Sequence, residues 1–175
     1  MAKPYPILTY PDKFLERPVA EVKNIDDTLQ ETIARMAATM YAAPGVGLAA
    51  IQVGLDLRML IYDIAPRDED RELHVLINPK IVESDGTTVS REEGCLSVPD
   101  FRADVNRAVR IHVTGYDEKE TPLDFDADGF LSIVLQHEID HLDGKLFIDR
   151  ISSLKRRLYK RRVRKQMRQH DDKPA

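Results

Sequence analysis

One cysteine, Cys95, stands in 175 residues, so an internal disulfide framework is excluded. A lone thiol suits a reducing compartment, where a metal-binding thiolate survives, and the expected location is the cytoplasm. Long apolar runs are missing as well. The opening MAKPYPILTYP has prolines at 4, 6 and 11 and no stretch long enough for a signal peptide or a membrane span. Carboxylates are absent between Arg150 and His170. Within that region, from Lys155 to Arg168, nine of fourteen residues are Lys or Arg, whereas residues 1–154 hold 16 basic and 28 acidic residues. The formal net charge of −4 therefore averages an acidic body and a basic segment. A solvated helix face is the ordinary explanation of such a run. In an otherwise acidic protein, a basic helix of this density better suits a polyanion such as RNA or the ribosome surface. No membrane or DNA partner is expected.

What is present suffices for one domain with a real core, at 42% hydrophobic residues. Asp26 or Asp27 can cap a helix over 26–43 in which Leu29, Ile33, Met36 and Met40 recur at helical spacing, and Pro44 and Gly45 end it. Gly45, Gly47 and Ala50 imitate a dinucleotide fingerprint. That reading needs a strand before and a helix after, but a helix precedes and Leu57 to Ile64 reads as a strand. Pro66 to Glu72 is a charged hairpin tip. Strand signals resume at 73–82 and 87–90, and most clearly at Val109, Ile111 and Val113, continued by Leu123 and Phe125; His112 falls on the polar side of its strand and is expected to be exposed. Asp128-Gly129 turns the chain into a helix over 130–143. The expected class is α+β: small antiparallel sheets packed around that central helix, with a basic helix at about 153–168. Residues 1–152 form the catalytic body, and 153–175 the basic helix and a short tail.

The central helix carries HExxH in His137, Glu138 and His141. One helical turn separates the histidines, so both reach one metal ion while the glutamate reaches a water on it. Leu131, Leu135, Ile139 and Leu142 make one apolar stripe, and Phe130, Ile133 and Val134 continue the stripe of the histidines, which reads as a helix buried all round. A third ligand downstream is poorly supplied. HExxHxxGxxH matches as far as Gly144 and then offers Phe147, and Asp143 and Asp149 suit helix-end or turn roles. Cys95, in EEGCLSVPD, completes Cys/His/His with a fourth position open, the pattern of catalytic sites. A cysteine nucleophile activated by histidine competes with this reading, but leaves Glu138 and one histidine without work.

Three blocks, GVGLAAIQVG at 45–54, EGCLSVP at 93–99 and QHEIDHLDG at 136–144, resemble in order and spacing the three motifs of peptide deformylases, bacterial enzymes that remove the N-formyl group from new proteins. The resemblance begins at ILTYPDKFLE and includes the basic tail; Glu16 and Asp100 depart from the family's commoner choices. It implies that Cys95, His137 and His141 hold one divalent metal, that Glu138 moves the proton, and that the Leu96 N–H and the Gln52 amide stabilise the oxyanion. Phe130, Ile133 and Val134 would line a pocket for the methionine side chain, while Val46, Gly47 and Gly94 offer backbone to an extended peptide. Affinity order favours zinc over ferrous iron; the family typically uses ferrous iron, with zinc, nickel or cobalt as substitutes. The implied partners are N-formylmethionyl nascent peptides and, through 153–168, the ribosome surface, with that helix projecting from the body on a thin seam of Leu154, Leu158 and Val163. A general HExxH metallopeptidase and an inactive ribosome-binding module are the alternatives.

Overall fold

Asp26 starts the first helix by accepting a hydrogen bond from the Leu29 N–H at 3.0 Å. Such a cap satisfies an end N–H that the helix cannot, and is worth about 1 kcal/mol. The computed structural model, which describes residues 2–66 and 68–171, runs this helix, α1, over Asp27–Ala42. Strands follow at β1 (Gly47–Ala49), β2 (Met59–Tyr62), β3 (His74–Asp85), β4 (Thr88–Cys95), β5 (Val98–Arg107), β6 (Arg110–Tyr116) and β7 (Pro122–Asp128). Then come α2 (Gly129–Leu142) and α3 (Ser153–Asp171). The tail at 172–175, and Arg67 in the charged loop, lie outside the described residues.

β1-β2-β3-β6-β7 form one antiparallel sheet and β4-β5 a two-stranded one. Period-two alternation divides the larger sheet between two cores. Met59, Ile61, Val75 and Ile77 pack on Leu29, Ile33, Met36 and Met40 of α1. Leu60, Tyr62, Leu76, Ile111 and Val113 face Val134, Leu135, Ile139 and Leu142 of α2. β2 and β3 are thus covered on both sides, and α2 is held against the sheet as the α+β reading expects.

Three expectations change. The helix bearing HExxH is not buried all round: Phe130 is 56% exposed, and Leu131 and Ile133 are only half-buried, because its first turn borders a cleft. β5 is a long strand in a region where the strand signals above are silent, since its inward positions include Arg107 beside Ala103 and Val105. A charged residue on the inner face breaks the apolar alternation. Finally, α3 does not project from the body on Leu154 and Leu158, which are exposed; it docks through Tyr159 and Val163. Both join a third core with Leu15, Val98, Leu146 and Phe147, and Tyr159 stacks on Phe101 at 4.5 Å between ring centroids.

His112 lies on the polar side of its strand as expected, with 32% of its side chain exposed, and is held at Nδ1 by Asp126 (2.8 Å) and at Nε2 by Asp124 (2.6 Å). Carboxylates at both nitrogens favour the cation, which alone can donate to both. Hydrogen bonds to Asp126 and Asp124 raise its pKa above the ordinary value.

Tyr159→Ala should lower unfolding stability by about 3 kcal/mol, as other buried aromatic truncations do, whereas Leu158→Ala should stay within about 0.5 kcal/mol. Urea titrations of both variants measure the contrast. For His112, the ion pairs contribute fully below the unfolded-state pKa, about 6.5, and are lost as pH rises through the higher folded-state value. Proton NMR of the ring should therefore show a midpoint above the ordinary one, and Asp126→Asn should return it toward that value.

Candidate metal centre and active site

Three elements meet at the end of α2. Gly47 on β1 is fully buried against Glu138: a Cβ at this position would lie 2.6 Å from Oε1 and 2.9 Å from Cδ. Only glycine admits the glutamate. Gln52, in a short 3-10 turn over Ala50–Val53, is 2% exposed. Its Oε1 accepts the Ala49 N–H at 2.8 Å, and its Nε2 reaches the Ser97 hydroxyl at 3.1 Å and the Cys95 Sγ at 3.6 Å. Cys95 ends β4. Two bulges in the β4-β5 pairing, between Ser90 and Glu93 and between Glu93 and Cys95, turn Glu93 inward and the thiol toward α2.

The ligand atoms of Cys95, His137 and His141 all lie within 4.8 Å of one another. Sγ is 3.2 Å from His141 Nε2. His137 Nδ1 is engaged by Glu93 Oε1 at 2.7 Å, which leaves Nε2 for the cluster. Among the described residues, two buried side-chain atoms have no hydrogen-bond partner, His141 Nδ1 and Glu138 Oε2. Burial disfavours charge on His137, but hydrogen bonds to Cys95 and Glu93 outweigh it and raise its pKa well above the ordinary range. Burial, then the neighbouring His137, push His141 well below that range. One thiol and two imidazoles thus hold a proton unequally, and a divalent cation can take its place. Thiolate and imidazole donors within reach of one point fit zinc or ferrous iron. Burial also pushes Glu138 up to about 7, a value suited to taking and giving a proton near neutrality.

Behind the cluster runs a chain of charges that the sequence did not reveal. Arg107, with 1% of its side chain exposed, donates to Glu93 at 2.5 and 3.2 Å and to Asp140 at 2.6 Å. Asp140 takes a second guanidinium, Arg150, through bonds of 2.5 Å at each oxygen. Burial opposes ionisation of Glu93, yet hydrogen bonds from His137 and Arg107 hold its pKa down at about 2. Glu93 and Asp140 were legible only as neighbours of Cys95 and His141; Arg107 and Arg150 gave no sequence signal. Arg102, donating to the Glu92 carbonyl at 3.1 Å, also borders the cleft without having been foreseen.

A cavity of about 480 Å³ opens in front of the cluster. Val46, Gly47, Gln52, Gly94, Cys95, Leu96, Phe130, Ile133, Val134, His137 and Glu138 all line it, while His141 lies fully buried behind. At the place where a metzincin would supply its third histidine stands Phe147, 1% exposed and 6.2 Å from the His137 ring. Asp143 instead pairs with Arg58 at 2.9 Å, and Asp149 accepts the Leu146 N–H at 3.0 Å.

The sequence model of the polypeptide deformylase family matches residues 4–157. The chain belongs to the peptide deformylase family. A peptide deformylase of Desulfosudis oleivorans is 53% identical over 163 residues, 93% of this chain and 94% of that protein. In structure, the peptide deformylase of Legionella pneumophila is similar at a TM-score of 0.86 and 42% identity, covering 98% of this chain and 99% of the other. That of Acinetobacter baumannii, with Met-Ala-Ser bound, gives 0.81 and 32%, covering 86% and 100%. Peptide deformylases are metal-dependent hydrolases that remove the N-formyl group from nascent peptides, and this chain is one of them. No helix among the described residues is long and apolar enough to cross a membrane.

Arg107→Ala should destabilise the deformylase by about 3–5 kcal/mol, because Glu93 and Asp140 would be left charged and buried without their shared partner. Guanidinium unfolding measures this. A loss under 1 kcal/mol would show that the three charges do not act together.

Proposed function

We propose that Cys95, His137 and His141 hold the catalytic divalent ion, ferrous iron in the cell with zinc, nickel or cobalt as substitutes, and that Glu138 is the general base. The convergence of those three ligand atoms beside a Glu138 oxygen with no hydrogen-bond partner among the described residues, at the head of a cavity lined by both polar and apolar side chains, carries the reading. A bound ion supplies Lewis acidity, lowering the pKa of water and polarising a carbonyl.

Glu138 takes the proton from the attacking water as its oxygen bonds to the formyl carbon. The Leu96 N–H and the Gln52 amide stabilise the negative oxygen that develops, as preorganised donors that need no rearrangement during the reaction. Glu138 then returns the proton to the departing nitrogen as the C–N bond breaks, leaving formate and a free N-terminus. Phe130, Ile133 and Val134 receive the methionine side chain, and Val46, Gly47 and Gly94 present backbone to the extended peptide. A tripeptide beginning with methionine bound to the Acinetobacter relative is in keeping with this pocket.

The Cys95–His141 contact of 3.2 Å also has the geometry of a thiolate–imidazole pair. Nucleophilic catalysis gives Glu138 and His137 nothing to do, and requires no metal. Formate release from a formyl-methionyl peptide, assayed with ferrous iron, zinc and chelator in parallel, separates the readings: chelation should abolish turnover, and an unaffected rate would overturn the metal reading.

Glu138→Gln should keep the metal and lower kcat about 10²-fold or more, since an amide cannot accept the proton. Metal analysis beside the formate assay checks both halves.

The outward side of α3 carries Arg157, Arg161, Arg164, Lys165 and Arg168, all exposed, and we assign it to the ribosome surface of a cytoplasmic enzyme. Removing the helix would also remove Tyr159 and Val163 from the core, so charge rather than length is the variable to change. Replacing Arg161, Arg164, Lys165 and Arg168 by Gln should abolish salt-sensitive co-sedimentation with ribosomes and leave hydrolysis of short peptides within about twofold.

A further inference from the structure

We infer that Ser97 is a positioning residue for the reaction: its hydroxyl anchors the Gln52 amide in the orientation that the Ala49 N–H selects, an inference that rests on the donor role proposed for Gln52. A glutamine side chain can be turned over, and the two orientations have opposite meaning in a cleft where negative charge develops on oxygen. One presents an N–H to that oxygen. The other presents a lone pair and repels it.

The neighbours of Gln52 decide the orientation. The Ala49 main-chain N–H can only donate, and lies 2.8 Å from Oε1. Nε2 must therefore be on the opposite side, where the Ser97 hydroxyl accepts from it at 3.1 Å. That leaves the second N–H, directed at the Cys95 Sγ 3.6 Å away, on the side where the metal ligands gather. Ser97 is fully buried, so solvent does not substitute for its hydroxyl. Its main chain is held independently: the N–H donates to Cys95 Sγ at 3.4 Å, and the carbonyl accepts the Tyr10 N–H at 2.8 Å. Alanine keeps both of these bonds. Ser97→Ala thus removes the anchor of Gln52 and leaves the contact of the backbone with the thiol in place.

The test combines kinetics with side-chain NMR. Ser97→Ala should lower kcat about tenfold, less than the ~10²–10³-fold cost of deleting a donor outright, with KM and metal affinity unchanged. In a Gln52→Ala background the same substitution should cost nothing more, because the group it positions is gone. In the metal-free protein, the Gln52 side-chain N–H signals should be distinct and slow to exchange, and in Ser97→Ala they should move toward each other and exchange faster. Unchanged Gln52 signals, or an equal kcat loss with and without Gln52, would overturn the assignment; a fall in melting temperature with kcat intact would make Ser97 merely structural. A Gln52→Ala enzyme with undiminished kcat would overturn the donor role itself, and the positioning role with it.

Discussion

A guanidinium buried between two carboxylates joins the halves of this site. Arg107 reaches from β5 to Glu93 on β4 and to Asp140 on α2, so it ties the hairpin that carries Cys95 to the helix that carries both histidines. No apolar contact could do the same work as selectively. Apolar surfaces slide at little cost, whereas a planar fork with two acceptors has one good geometry. Glu93 extends the constraint by engaging His137 Nδ1, which fixes both the ring and the nitrogen that remains for the cluster.

Packing also explains why the residue that joins the two histidines, Cys95, comes from upstream of α2. After α2 the chain turns at Gly144, whose φ of +72° and close approach to the Arg17 backbone leave no room for a side chain. It then delivers Leu146, Phe147 and Ile148 into the third core, where Tyr159 of α3 also packs. Phe147 stacks on His137 from the outside of the cluster. The downstream chain is occupied in supporting the helix, and the thiol beside the two histidines comes from β4.

Those parts of the site governed by chemistry were legible in the sequence. Two histidines one turn apart, a glutamate between them and a single cysteine in a glycine-bearing block leave few arrangements that satisfy a metal, and α2 and the strand signals around Val109 to Val113 follow from periodicity. The supporting groups were not legible, for physical reasons. Arg107 occupies an inward position of a strand, where an apolar residue is the ordinary expectation, and its meaning depends on two carboxylates 14 and 33 positions away. Tyr159 lies in the most basic stretch of the chain, and a helix pattern dominated by arginine conceals it; of the seam read from the sequence, only Val163 docks. Phe130 and Ile133 misled in the other direction: apolar residues beside a cleft have the same pattern as apolar residues in a core.

Charge balance explains how so many ionisable groups share a nearly dry space. Glu93, Arg107, Asp140 and Arg150 sum to zero and neutralise one another through direct bonds, and Glu93 and Arg107 act in opposite directions on Glu138 and His141 in front of them. There the ligand atoms of Cys95, His137 and His141 gather within 4.8 Å of one another beside the Glu138 carboxyl. Glu138 is buried with its Oε2 lacking a hydrogen-bond partner among the described residues, and burial, with the Glu93 charge adding to it, pushes it up to about 7 against the lowering effect of His137. The fold therefore keeps this carboxyl poorly solvated and close to neutral pH in its affinity for a proton, while the charges that hold the scaffold together pair off directly behind it. Gly47 is the local condition for this: any side chain there would push Glu138 out of the one position in which it is both buried and beside the ligands.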